Sequence, residues 1–178
     1  MNKILFLDLD GTARQPKSGA TFINKPLDQE IIPGVAEAIA RYPNHVLIGI
    51  TNQGGVAAGK KSLEDAIAEQ QYTIQLLPQL LEIYFCPDFD GRQCYKLTCV
   101  DGGVTNDAIN FEENDLKRWQ GQCRKPNCGM VEIAIAEMSL KVDRKESLFV
   151  GDRAEDQACA AGAGIPFMWA ADWRGECD

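Results

Sequence analysis

The run ILFLDLDGTARQPKSG, residues 4–19, decides the fold. From Ile4 to Leu9 it is a nearly continuous apolar stretch, the pattern of a strand covered on both faces. Asp8 and Asp10 interrupt it, and Gly11-Thr12 end it. An ionised carboxylate removed from water is costly without a partner. Two of them at the end of a buried strand therefore require a metal, a cation or a shifted pKa close by. Gly11, lacking a side chain, allows a tight turn directly after the second carboxylate.

Downstream, strands and helices alternate. The spacing predicts a helix over 33–42, with Pro33 at its first position and Val35, Ala38 and Ile39 on one face. A strand follows over 45–51, then a long helix over 60–81 that Pro78 kinks or ends, then a strand over 82–86. Residues 87–122, rich in Asp, Gly and Cys, read as an irregular insert. Regular pattern returns with a helix near 128–140, a strand over 147–152, a helix over 154–162 and a strand over 165–170. This alternation predicts an α/β fold: a Rossmann-like, doubly wound, mostly parallel sheet with helices on both faces. Such sheets bind ligands beyond the carboxyl ends of their strands.

The chain has 178 residues, 45% hydrophobic and 25% charged, the composition of one globular domain with a substantial core. No stretch reaches the roughly 20 apolar residues that span a bilayer, and the first residues do not form a secretory signal. The expected address is cytoplasmic, with no membrane partner. Seven cysteines, an odd number, argue against a full disulfide framework. A net charge of −8 disfavours sequence-independent wrapping of nucleic acid. The charge is uneven, however. Residues 1–61 carry seven basic and five acidic side chains, whereas 126–178 carry five basic and ten acidic, so an anion can still meet a locally positive mouth.

The predicted strand ends share a chemistry. The first finishes in Asp8 and Asp10, the second in Thr51-Asn52-Gln53-Gly54-Gly55, and the strand at 147–152 in Gly151-Asp152, with Asp156 one helical turn on. Lys125 lies just ahead of another helix. Carboxylates, hydroxyl and amide donors and a lysine converging on one crevice suit a divalent cation together with a phosphoryl group.

In this order and spacing, DLDGT, TNQGG, RKP and GDRAED resemble the four motifs of the haloacid dehalogenase superfamily of phosphohydrolases. The flavour resembles its subgroup III, which holds histidinol-phosphatases, heptose-bisphosphate phosphatases and the 3′-phosphatase domains of polynucleotide kinases. The likeness spans roughly residues 3–168. It implies that Asp8 attacks phosphorus to form an aspartyl-phosphate and that Asp10 acts as general acid and base. It further implies Mg2+ held by Asp8, the Asp10 carbonyl and Asp152, with Asp156 in support. Thr51 and Lys125 complete the catalytic group, and Asn52, Lys60 and Arg124 contact substrate. The resemblance also implies a flap at about 11–26 and little or no cap.

One departure is GVAAGK, where relatives often read GIxRGK: Ala58 stands at the arginine's place. The other concerns zinc. Heptose-bisphosphate phosphatases carry a zinc loop that begins Cys-Pro-His and closes Cys-x-Cys before Arg-Lys-Pro. Here Cys86 and Cys123 remain, while Asp88 and Gly121 occupy the other two places. A structural zinc held by Cys86, Asp88, Cys94 and Cys123 stays open, with Cys99 or Cys128 as alternatives, against a set of reduced core thiols. The expected substrate is a small phosphorylated metabolite, a sugar or amino-alcohol phosphate. The alternatives are the 3′ end of a polynucleotide and a non-catalytic phosphate-binding module. The sequence leaves oligomeric state undetermined.

Overall fold

The computed structural model describes residues 1–100, 103–111, 114–139 and 141–176. The expected helix end at Leu140 and positions 101, 102, 112 and 113 of the expected insert lie outside them. At the centre, β1 (Lys3–Leu7) lies between β4 (His45–Asn52) and β8 (Leu148–Gly151), both parallel to it. The parallel sheet continues through β5 (Leu80–Cys86) on one side and β9 (Phe167–Trp169) on the other. Beyond β5, β6 (Tyr95–Val100) and β7 (Gly103–Ala108) pair antiparallel, giving the order β7-β6-β5-β4-β1-β8-β9. Two short antiparallel strands, β2 (Arg14–Gln15) and β3 (Glu30–Ile31), bracket the segment 16–29.

Alternation along β1 splits the core into two layers. Ile4 and Phe6 pack with Met130 and Ile133 of α4 (Gly129–Glu137) and Cys159 of α5 (Ala154–Gly162). Leu5 and Leu7 face the opposite way. They pack with Val35 of α1 (Val35–Ala40), Val56 of α2 (Gly54–Ala57), Ala66 and Ile74 of α3 (Leu63–Leu76), and Trp173 of α6 (Ala170–Arg174). Helices thus cover both faces, as the apolar run required, and the fold is the expected Rossmann-like α/β sheet.

Three differences from the sequence pattern have local causes. The long helix starts at Leu63 because Ser62 caps it: the Ser62 hydroxyl accepts from the Asp65 amide at 3.0 Å, and the Asp65 carboxylate returns the bond. It stops at Leu76, short of the backbone that Pro78 constrains, and β5 begins at Leu80. Residues 87–122 are not wholly irregular. Tyr95, Leu97 and Cys99 alternate onto the core, and the β6–β7 pair extends the sheet. The residues after the last strand form α6, whose Trp173 is fully buried.

Phe149 of β8 stacks between Phe6 at 6.2 Å and Phe167 at 6.4 Å between ring centroids and is fully buried. Phe149→Ala should lower stability by about 3–5 kcal/mol through lost burial and the cavity left behind. Denaturant unfolding reads this as a lower midpoint at unchanged slope.

Candidate active site

The carboxyl ends of β1, β4 and β8 open into one cleft of about 890 Å3. Asp8 leaves β1 directly into it, held by its own amide, which donates to the Val150 carbonyl at 2.9 Å. Gly11 follows at φ 88, and a Cβ there would lie 2.4 Å from Oδ2 of Asp152. Glycine is required so that the turn after β1 can approach the end of β8. Gly151 serves similarly, since a Cβ on it would lie 2.4 Å from Cβ of Asp156.

Lys125 is buried between two of these carboxylates. Its Nζ lies 2.5 Å from Asp8 Oδ1 and 2.7 Å from Asp156 Oδ1, and donates to the Ile50 carbonyl at 3.0 Å. The second Asp8 oxygen accepts from the Thr12 hydroxyl at 3.0 Å. Asp156 is 1% exposed, and its Oδ2 accepts from the Arg153 amide at 3.0 Å, capping α5. Asp156 therefore faces Lys125 and not solvent.

Asp10 points to the other side of the cleft. Its Oδ1 accepts from Arg14 Nε at 2.9 Å and its Oδ2 from Gln53 Nε2 at 3.2 Å. Thr51 is buried, lines the cleft, and accepts from the same Gln53 nitrogen at 3.2 Å. Asn52 lines the cleft too, but both ends of its amide are engaged. Oδ1 accepts from the Lys125 amide at 3.0 Å and Nδ2 donates to the Lys125 carbonyl at 3.1 Å, so it clamps the lysine's backbone. Lys60 lines the mouth and is exposed. Arg124 also lines it, its guanidinium 5.3 Å from the Phe89 ring centroid and donating to the Asp88 carbonyl at 3.3 Å.

The electrostatics follow from this crowding. Burial pushes the Asp8 carboxyl up to about 7; Lys125 pulls it down and Asp156 adds to the rise. Burial works against the Lys125 ammonium, yet Asp8 and Asp156 outweigh it and hold the lysine above its ordinary range. For Asp10, burial is likewise opposed, and the Arg14 guanidinium wins, holding the carboxyl below the usual range. Asp152 is raised, chiefly by burial.

Ligand oxygens of Asp8, Asp152 and Asp156 lie within 4.8 Å of one another, the only such group among the described residues. An all-oxygen set suits a hard divalent cation such as Mg2+. Four carboxylates, Asp10 included, face Lys125, an Arg14 shared with Glu69, and Arg153, whose Nε lies 3.9 Å from Asp152, so the charge balance still favours a bound cation. Among the described residues the expected zinc ligands do not form a second such group, although the Cys94 and Cys123 thiols are in hydrogen-bond contact. The Asp88 carboxylate turns back to accept from the amides of Arg92 and Gln93 at 3.1 and 2.7 Å. Cys86, Cys94 and Cys123 are buried among core residues, and burial pushes the Cys86 thiol up to about 12.

Several lining residues had no role in the sequence reading: Arg14, Lys61, the exposed rings of Phe22 and Phe89, and Gln53 and Arg153, which stand inside TNQGG and GDRAED. Outside those motifs only Arg14 left a local signal, its position four residues after Asp10.

A parallel sheet whose strand ends gather three aspartates around one buried lysine defines a phosphatase of the haloacid dehalogenase type. The family model described as polynucleotide kinase 3 phosphatase matches residues 3–170, and the chain belongs to that family, within subfamily III of the superfamily. Among its relatives is the D-glycero-beta-D-manno-heptose-1,7-bisphosphate 7-phosphatase of Haemophilus influenzae, 30% identical over 93% of this chain and 79% of the relative. The enzyme of the same description from Vibrio cholerae is 31% identical over 90% and 76%. A solved structure of D,D-heptose 1,7-bisphosphate phosphatase from B. bronchiseptica, complexed with magnesium and phosphate, shares the fold. Its TM-score is 0.63 at 24% identity, over 93% of this chain and 78% of that one.

The Asp8 environment fixes the sign of a pH effect. With its folded pKa near 7 against 3.8 for the free side chain, Asp8 contributes stability that is complete below about pH 4 and is lost as pH rises through 7. In EDTA, Asp8→Asn should therefore unfold at higher denaturant than the wild type at pH 8, with the gap narrowing at pH 5. An equal gap at both pH values would refute the assignment.

Proposed function

We propose that the protein hydrolyses phosphate monoesters of a small metabolite of the sugar-phosphate kind by way of a covalent phospho-Asp8. The observation that carries this reading is the Asp8–Lys125–Asp156 arrangement beside Asp152, opening into the same cleft as Asp10. An Asp8 carboxylate oxygen attacks phosphorus, and the bond from phosphorus to the leaving oxygen breaks. Asp10 gives its proton to that oxygen, then takes one from the water that hydrolyses the acyl phosphate. Arg14 opposes protonation of Asp10 in the empty cleft, and a phosphate dianion bound beside it acts in the opposite sense. Lys125 keeps Asp8 aimed and balances the charge of the phosphorylated state.

Asp8, Asp152 and the Asp10 carbonyl would hold Mg2+, with Asp156 behind them; the ion supplies charge neutralisation on the phosphate oxygens. Asn52 acts by fixing the Lys125 backbone. Lys60, Arg124 and Arg153 at the mouth offer positive charge to the rest of the substrate. The heptose-bisphosphate relatives support the sugar-phosphate class. A second reading, a polynucleotide 3′-phosphatase, is favoured by the family description and by two aromatic rings, Phe22 and Phe89, 61% and 58% exposed on the cleft wall. Such rings suit stacking with nucleobases.

With Mg2+ and an aryl phosphate, wild type should turn over, EDTA should abolish turnover, and Asp8→Asn should lose ~10³-fold or more. Equal rates for wild type and Asp8→Asn would remove the nucleophile. A panel of sugar phosphates and 3′-phosphorylated oligonucleotides separates the two substrate readings. Preference for the oligonucleotide, falling steeply with salt, would favour the second.

A further inference from the structure

Arg14 is a buried cation that touches the proposed reaction only through Asp10. Its side chain is 0% exposed, and its guanidinium spends only Nε on Asp10, at 2.9 Å. The outer nitrogens point away from the cleft. Nη2 meets Glu69 Oε1 at 2.6 Å, while Nη1 contacts Gln29 Oε1 at 3.2 Å and the Thr73 hydroxyl. Glu69, also 0% exposed, takes a second cation on its other oxygen: Lys61 Nζ pairs with Oε2. The same Nζ donates to the Ile23 carbonyl at 3.0 Å, in the segment 16–29 that lines the cleft opposite the strand ends. An unbroken line of charge-assisted hydrogen bonds therefore runs from Asp10 through Arg14, Glu69 and Lys61 to the backbone of that segment.

A guanidinium is planar, and its donors keep fixed angles to one another, so anchoring two edges fixes the third. Glu69 and Thr73 anchor Arg14 to α3, and Nε is then presented to Asp10 in one direction. Gln53 Nε2 takes the other Asp10 oxygen, which sets the plane of the carboxylate. Removing one member of such a buried set leaves a charge without its partner, so the set shifts as a unit.

We propose that Arg14 and Glu69 are positioning residues that aim Asp10 at the leaving oxygen, and that Lys61 extends the same line to the 16–29 segment. The inference rests on Asp10 being the proton donor. It makes the acid well aimed when that segment is seated over the cleft.

A proton donor matters in proportion to the basicity of the oxygen that leaves. The test is kcat/KM with Mg2+ for two esters, an alkyl phosphate and 2,4-dinitrophenyl phosphate, whose leaving group departs without a proton. Glu69→Gln and Arg14→Lys should lose about 10²-fold on the alkyl ester and less than about 3-fold on the aryl ester. Lys61→Met should raise KM for both and lower the alkyl-to-aryl ratio by about 10-fold. In an Asp10→Asn background the same substitutions should leave the ratio unchanged, because they act through Asp10.

Equal losses on both esters, in variants whose unfolding transitions stay cooperative, would overturn the positioning role and leave Arg14 a structural cation. An unaltered ratio in Lys61→Met would overturn the link to the segment. If Arg14→Lys does not fold, the near-isosteric Glu69→Gln decides. A wild type inactive on both esters would instead defeat the phosphatase reading of the site, and this inference with it.

Discussion

Like charge is concentrated at one point of this fold. Asp8, Asp152 and Asp156 bring oxygens within 4.8 Å of one another, two of the three side chains being buried. Desolvated carboxylates at that spacing repel, and the surrounding architecture answers to that repulsion. Lys125 reaches two of them and the Ile50 carbonyl. Asn52 grips both backbone groups of Lys125, so the end of β4 fixes the counter-charge to the sheet. Gly11 and Gly151 leave out the side chains that would separate the strands' ends. Buried ion pairs seldom add net stability. Their assembly here makes sense as preorganisation, with the cost carried by the two apolar layers that flank the sheet.

A second set of buried charges lies on the opposite wall. Arg14, Glu69 and Lys61 join the turn after β1 to α3 and to the segment 16–29. The two sets meet the cleft through different aspartates, Asp8 from one and Asp10 from the other. Their environments push the two carboxyls apart: burial raises Asp8, and Arg14 lowers Asp10 in the empty cleft. Two carboxylates two residues apart thus acquire distinct chemistry from the walls they face. Beyond them the mouth is wide and mixed, with exposed Phe22 and Phe89 beside Lys60 and Arg124. A leaving group of either kind considered above can be accommodated there.

The sheet was legible because a run buried on both faces has few alternatives, and the alternation of Ile4 and Phe6 against Leu5 and Leu7 bears that out. Asp8, Thr51, Lys125 and Asp152 were legible as strand-end or pre-helix residues, and the structure brings all four to one cleft. What failed were signals that depend on distant partners. Arg14 and Glu69 are 55 positions apart, and nothing local distinguishes Glu69 from a solvated helix charge. Asn52 lines the cleft, and its carboxamide also pairs with the backbone of Lys125, 73 positions away, a partner its own motif did not disclose. The β6–β7 pair escaped notice because its alternation is short and lies among turn-forming residues, and its pairing with β5 is tertiary.

The cysteines show how the lysine's loop is held. Residues 121–125 close the insert, and the Cys123 amide donates to the Gly91 carbonyl at 3.1 Å. A Cβ on Gly91 would lie 3.0 Å from the Arg124 amide nitrogen, so two backbone segments run almost in contact just before Lys125. Cys86, Cys94 and Cys123 sit beneath that contact in the same apolar layer as Phe111 and Met130. Thiols in such surroundings behave as small hydrophobes. Arg124 adds a lid, lying against Phe89 and bonded to the Asp88 carbonyl. Asp88 keeps its carboxylate for the turn at Arg92 and Gln93. Close packing, a backbone bond and one cation–π contact hold this loop, and with it Lys125 at its end.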